Sequence, residues 1–192
     1  MIDYKLLRQW AEKIYSDFCE YGLHNEQKSD DFYLCSIITD VVKLVEKYQK
    51  GFFEIPVHRY SEEQMNDDYG FICFYDAEVK NTIYGKFADI IIKLLDFAYL
   101  KYGNKIEIWE TCHHSILHVD KNDNIYENGI YLCKQVNSDI MDIYDSIRFI
   151  ESWAESLNID LKQQVEWKIR YNNLDLVQNI KWKKLCERYE FY

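Results

Sequence analysis

The sequence predicts an all-α fold. A single Pro and six Gly in 192 residues leave few points that force the chain to turn. Apolar side chains recur every three to four residues through most of the chain, the period of a helix rather than of a strand. Apolar residues make up 48% of the composition and aromatic residues 17%, enough for a packed core in a chain of one-domain length.

The first helix is expected over residues 4–21, where Leu6, Leu7, Trp10, Ile14, Tyr15 and Phe18 share a side and Gly22 supplies a stop. Asp30 or Asp31 caps a second helix over 32–50, with apolar positions at Leu34, Ile37, Ile38, Val41, Leu44, Val45 and Tyr48 and a stop at Gly51. Residues 52–76 are irregular. Pro56, an acidic patch (Glu62, Glu63, Asp67, Asp68) and Gly70 read as a loop with one short helix. Residues 77–102 carry the strongest helical pattern and end before Gly103. Residues 104–130 are polar, and Asp123-Asn124 and Asn128-Gly129 signal turns, so a loop or short hairpin is expected. Helical spacing returns over 131–157 and breaks at Asn158. A last helix begins within 159–173, with Asp160 as its cap, and continues less regularly through 174–192. These are five or six helices in one bundle spanning 1–192, without an internal repeat.

A formal net charge of −10, from 23 basic and 33 acidic residues, argues against a nucleic-acid partner, which needs a basic surface. The one basic concentration, Lys181, Lys183, Lys184 and Arg188 around Trp182, is equally a solvated helix face. The start Met1-Ile2-Asp3-Tyr4-Lys5 lacks a basic segment followed by an apolar run, and no stretch reaches the ~18 apolar residues of a membrane span. The six cysteines (19, 35, 73, 112, 133, 186) are scattered without a C-x-x-C, as suits reduced thiols. The expectation is a cytoplasmic protein with no membrane partner. Cys112-His113-His114 with His118 offers soft ligands, His114 and His118 lying one helical turn apart as in zinc sites. A loop carrying exposed histidines is the plainer reading, and Glu107 and Glu110 are equally surface charges. No G-x-S-x-G, P-loop or G-x-G-x-x-G occurs.

Two short stretches pair a carboxylate with a lysine three residues away, on one helical face: Asp40-Val41-Val42-Lys43 and Lys86-Phe87-Ala88-Asp89. Asp40, Lys43 and Lys47 line one side of the second helix, and Lys86, Asp89, Lys93 and Asp96 line one side of the long helix. By charge pattern alone this is a solvated face whose pairs contribute ~0.2–0.5 kcal/mol each.

The string from Glu78 to Ala98, which contains the second pair, resembles the MazG-like all-α nucleotide pyrophosphohydrolase family. Residues 6–51, closing on Lys50-Gly51, resemble its opening segment, and 157–172 resemble its I-D-L-x-x-x-x-x-x-K-x-x-Y-N segment. The resemblance implies a MazG-like helical bundle with core segments 4–51, 77–102 and 157–175 and an insertion over about 104–156. It implies hydrolysis of a nucleoside triphosphate to monophosphate and pyrophosphate, with Mg²⁺ held by E-x-x-E and E-x-x-D on two helices. It also implies a homodimer or higher homo-oligomer.

Position by position, Asp40 and Asp89 match metal-ligating acids, while Lys43 and Lys86 stand where two further acids are expected. Lys168, Tyr171 and Asn172 match residues that meet the nucleotide or its phosphates. Gln164 replaces the family's histidine, and Asn179-Ile180-Lys181 is the nearest match to its basic tail. No residue is assigned as catalytic. Exchanging Glu for Lys at ~5 Å from Mg²⁺ shifts the energy by on the order of 10 kcal/mol at most. The expectation is that Asp40, Lys43, Lys86 and Asp89 form a cross-helix ion-pair cluster in place of the metal.

Three functions follow from the resemblance. One is a degenerate homologue, weakly active or inactive, that retains nucleotide binding. Another is an active Mg²⁺-dependent pyrophosphohydrolase that recruits Glu46 or Asp96. The third is a non-catalytic interaction scaffold.

Overall fold

The computed structural model describes residues 1–52, 61–111, 119 and 124–189, with the backbone alone for Glu62 and for 178–189. Eight α-helices and no strand occur among the described residues: α1 (Tyr4–Glu20), α2 (Asp30–Gln49), α3 (Glu62–Asn66), α4 (Asp68–Phe74), α5 (Ile83–Tyr102), α6 (Ile125–Gln135), α7 (Ile140–Ser156) and α8 (Leu161–Tyr189). A π-helical turn over Tyr75–Val79 follows α4, and a 3₁₀ segment over Gly103–Glu110 follows α5.

Short polar side chains set most of these boundaries by accepting from backbone N–H groups that a helix start leaves free. Ser29, rather than Asp30 or Asp31, caps α2, its Oγ accepting from Phe32 N at 3.3 Å. The two aspartates lie in the first turn, where their charge suits the helix N-terminus. Asp160 caps α8 as expected, accepting from Gln163 N at 3.0 Å. Gly22 and Gly51 take positive φ (75° and 73°) just beyond α1 and α2, a conformation that suits a residue without Cβ.

Four segments depart from the sequence reading. Within 52–76, residues 53–60 lie outside the described residues, and the acidic patch forms two short helices joined at Asp67 where one short helix is expected. Ser61 and Gln64 form a reciprocal capping box for α3, and Asp67 caps α4. The helix expected over 77–102 starts at Ile83, because Thr82 caps it and the chain folds back tightly there. A Cβ on Gly85 would lie 2.5 Å from the carbonyl oxygen of Val79. Asn128-Gly129 is no turn: both residues are buried inside α6, and a Cβ on Gly129 would lie 2.7 Å from Val45 Cγ2. The glycine there lets α6 approach α2. The run expected over 131–157 is interrupted at residues 136–139, after which Asp139 caps α7.

The core is built around α5, which buries Phe87, Ile90, Ile91, Leu94, Leu95 and Phe97 against α1, α2, α7 and α8. α2 runs antiparallel to α5: Tyr33 stacks on Phe97 with centroids 5.4 Å apart, while Ile83 N donates to Phe52 O at 3.3 Å near the opposite end. The 104–156 segment adds Ile143, Ile147, Ile150 and Trp153 to this core. A smaller cluster joins Phe71, Ile72, Phe74, Tyr75 and Val79 to Tyr171 of α8. No described helix is long and apolar enough to cross a membrane.

Candidate functional site

A helix buried on most sides carries charge only where a partner compensates it, since an unpaired buried ion is strongly unfavourable. Along α5 the charged positions before its last turn, where Lys101 pairs with Asp30, are Lys86, Asp89, Lys93 and Asp96. The cross-bundle partners come from three different elements.

Asp89 lies between two ammonium groups, one on each oxygen. Lys86 Nζ is 2.5 Å from Oδ2, and Lys168 Nζ, from α8, is 2.9 Å from Oδ1. One helical turn further, Lys93 Nζ reaches Asp40 Oδ2 of α2 at 2.5 Å and donates to Ser36 Oγ at 2.7 Å. Asp96 Oδ1 meets Nε2 of His24, on the α1–α2 connection, at 2.9 Å. The Lys86, Lys168 and Asp89 side chains keep only 13–14% of their surface exposed, which rules out a simple solvated face.

The quartet expected from the sequence is therefore split. Asp40–Lys43 and Lys86–Asp89 are each close within their own helix, but the cross-helix ties come from Lys93 and Lys168. Lys43 Nζ stands 3.5 Å from Asp40 Oδ1 and is half exposed, so Lys93 is the closer partner of the buried Asp40. Burial by itself would raise the Asp89 carboxyl pKa, but Lys168 and Lys86 outweigh it and hold the group below the usual carboxylate range. Asp96 behaves oppositely. Burial raises its pKa, and His24 offsets this only in part.

Lys168 also caps two stacked rings. The Tyr75 and Tyr171 centroids are 4.5 Å apart, and Lys168 Nζ lies 5.5 Å and 5.1 Å from them. Tyr171 Oη accepts from Lys80 Nζ and donates to Asp76 Oδ1, both at 2.8 Å, and Lys80 Nζ is 2.7 Å from Asp76 Oδ1. The Tyr171 ring is buried, so it supports Lys168 from below and offers no open stacking face. Asn172 follows it, half-buried. Tyr75 Oη and Gln164 Oε1 are buried without a hydrogen-bond partner among the described residues. Burial, and then the charge of Asp89, pushes the Tyr75 hydroxyl far above the ordinary tyrosine range.

These residues do not fit a divalent cation. Each candidate carboxylate already faces two ammonium groups, and the acids that could be recruited lie elsewhere. Asp96 is bound to His24, and Glu46 lines a groove between α2 and α6. Among the described residues no three His, Cys, Asp or Glu side chains gather as metal ligands. The Cys112, His113, His114 and His118 set lies outside the described residues, as do the side chains of Lys181, Lys183, Lys184 and Arg188.

Sequence reasoning missed Asp76, Lys80, Tyr75 and His24. Asp76 and Lys80 do show the i, i+4 spacing of a helical ion pair; His24 carried no comparable sign. Three ammonium groups (Lys80, Lys86, Lys168) stand around Asp76 and Asp89, and the charge of Asp175 also reaches Tyr171, so opposite charges balance within the cluster. Such fixed ammonium groups suit a phosphate.

Concavities lie away from this cluster. The α2–α6 groove encloses about 350 Å³ beside Val42, Tyr126 and Ile130. A cavity of about 740 Å³ lies where the Arg148–Glu151 pair clamps the backbone of Ile2, Arg148 Nη1 donating to Ile2 O at 2.8 Å and Ile2 N donating to Glu151 Oε1 at 2.6 Å. Compared with known proteins, the chain matches no family model, no curated protein and no solved structure.

Proposed function

We propose that this chain is a MazG-like bundle in which fixed ammonium groups have replaced the metal site, and that it binds a phosphate-bearing nucleotide without hydrolysing it. The observation that carries the reading is the cradle of Asp89, with one lysine on each carboxylate oxygen. Mg²⁺ needs an almost complete shell of oxygen ligands, and two neighbouring ammonium groups oppose it. Phosphate oxygens find in the same ammonium groups the charge that a metal would otherwise supply. Lys86 and Lys168 provide the contact, Tyr75 and Tyr171 support Lys168, and Asn172 lies beside them on α8.

Thermal denaturation with a panel of nucleoside triphosphates tests this, with Mg²⁺ and with EDTA, while pyrophosphate is assayed in the same samples. A nucleotide at about 100 times its Kd should raise Tm by roughly 5–10 °C in either condition, without pyrophosphate. Mg²⁺-dependent pyrophosphate release would instead make the chain an active hydrolase.

A second reading, an interaction scaffold, is favoured by one observation: Val42, Tyr126 and Ile130 stand 46–56% exposed beside the α2–α6 groove. No stabilisation by any nucleotide would support it. Sedimentation analysis tests the homo-oligomer that the resemblance implies. Cytoplasmic residence belongs to the same proposal and is checked by fractionation.

A further inference from the structure

Asp89 stands between two lysines from different helices. Its two oxygens each hold one ammonium group, Lys86 Nζ at 2.5 Å and Lys168 Nζ at 2.9 Å. A pair of phosphate oxygens could make the same two contacts. The two lysines come from different helices, and Lys168 is fixed from the far side by the Tyr75 and Tyr171 rings. The cradle is therefore built by the fold and does not depend on an incoming ligand for its shape. The lysines remain 13% exposed, at the edge of solvent.

We propose that Asp89 is a resident anion that plugs the phosphate site, and that a ligand binds by displacing it from Lys86 and Lys168. This deepens the phosphate-binding reading and rests on it. A displaced carboxylate has a place to go. Lys93 lies four residues on from Asp89, one helical turn away on the same face, and Lys86 lies three residues back. Lys93 at present holds Asp40 and Ser36 and keeps 37% of its side chain exposed, so Asp89 would join it by taking the place of neutral Ser36. The exchange keeps every charge paired throughout: ligand phosphate to Lys86 and Lys168, Asp89 to Lys93. The plug explains why a site rich in ammonium groups can stand in the apo protein, since without it two half-sealed cations would face each other unpaired. It also sets a threshold. Only a ligand with more negative charge than one carboxylate, such as a polyphosphate, gains from the exchange.

The proposal makes an unusual prediction, because removal of a charged site residue should strengthen binding. Inorganic tripolyphosphate is titrated in EDTA by calorimetry into the wild type, Asp89→Asn, Asp30→Asn and the double variant Asp89→Asn/Lys168→Gln. Asp89→Asn should bind at least about tenfold tighter than the wild type, equivalent to ~1.4 kcal/mol. Asp30→Asn, the same charge change at the far end of α5, where exposed Asp30 pairs with Lys101, should stay within about twofold of the wild type, because exposed long-range charge is screened. The double variant should lose the gain. Equal gains in the two Asn variants would mean that only net charge matters and would overturn the plug, as would weaker or unchanged binding by Asp89→Asn.

If Asp89→Asn is poorly folded, its melting temperature in phosphate and in chloride at matched ionic strength gives a second readout. Recovery in phosphate alone supports the plug, and an equal response to both salts overturns it. The two layers fail separately. A wild type that binds nucleotide while Asp89→Asn binds no tighter sinks the plug and leaves the function. An Asp89→Asn variant that binds tripolyphosphate where the wild type binds neither it nor nucleotide sinks the function and leaves the plug.

Discussion

Lys93 and Lys43 approach the same buried carboxylate from different surroundings, and a methionine at each position separates them. Lys93→Met leaves Asp40 with a distant, half-exposed partner and cuts a tie between α2 and α5. It should cost ~2 kcal/mol in urea unfolding. Lys43→Met should cost under ~0.5 kcal/mol, as exposed pairs do. The two stacked tyrosines form a similar contrast. Tyr171→Phe removes a hydroxyl that links Lys80 to Asp76 and should cost ~1 kcal/mol. Tyr75→Phe removes a buried hydroxyl that has no partner, and should be neutral or stabilising by ~1 kcal/mol. If Tyr75→Phe destabilises as much as Tyr171→Phe, the Tyr75 hydroxyl makes a contact beyond those described. The linear sequence does not show which of these hydroxyls is bonded, because the difference arises where α8 crosses the turn after α4.

At the scale of elements, the junction before α5 is the most constrained point. A methyl group on Gly85 meets backbone, which cannot rotate away, so Gly85→Ala should lower stability by about 1–3 kcal/mol despite the better helix propensity of Ala. Gly129→Ala meets a valine side chain that can shift, and its cost should be smaller; chemical denaturation of both variants checks the order. Helix type was legible in the sequence because apolar spacing is a local property of the chain. Boundaries were less so. No Gly or Pro interrupts 77–84, so the Thr82 cap, which follows Lys80 and Asn81, leaves no breaker to read. Asn128-Gly129 was misread because its local preference for a turn was overridden by the close approach of α2. The charged stripe was legible along α5, through the spacing of Lys86, Asp89, Lys93 and Asp96. Its partners were not, since His24, Asp40 and Lys168 meet it only through the packing of the bundle.

For the molecule as a whole, the paired carboxylates govern the response to acid. The folded pKa of Asp89 lies below the ordinary value, so its contribution to stability is complete above an unfolded pKa of about 3.9 and is lost as pH falls through the folded value. Asp96 has the reverse sign. Its raised folded pKa makes ionisation unfavourable to the fold above that value, and acid relieves the penalty. Asp89→Asn should therefore flatten the acid limb of a stability–pH profile measured by urea unfolding, and an unchanged limb would contradict the pairing.

The alternation of sign along α5 has a further consequence. Sliding the helix by one turn, about 5.4 Å, would bring Lys86 or Lys93 opposite Lys168 and Asp89 or Asp96 opposite Asp40. Two of the cross-helix pairs would then set like charges against each other. The four charges act as a parity check on the alignment of the bundle: a misaligned chain fails it at both points together, so α5 serves as a fixed reference for the surrounding helices and cannot work as a piston among them.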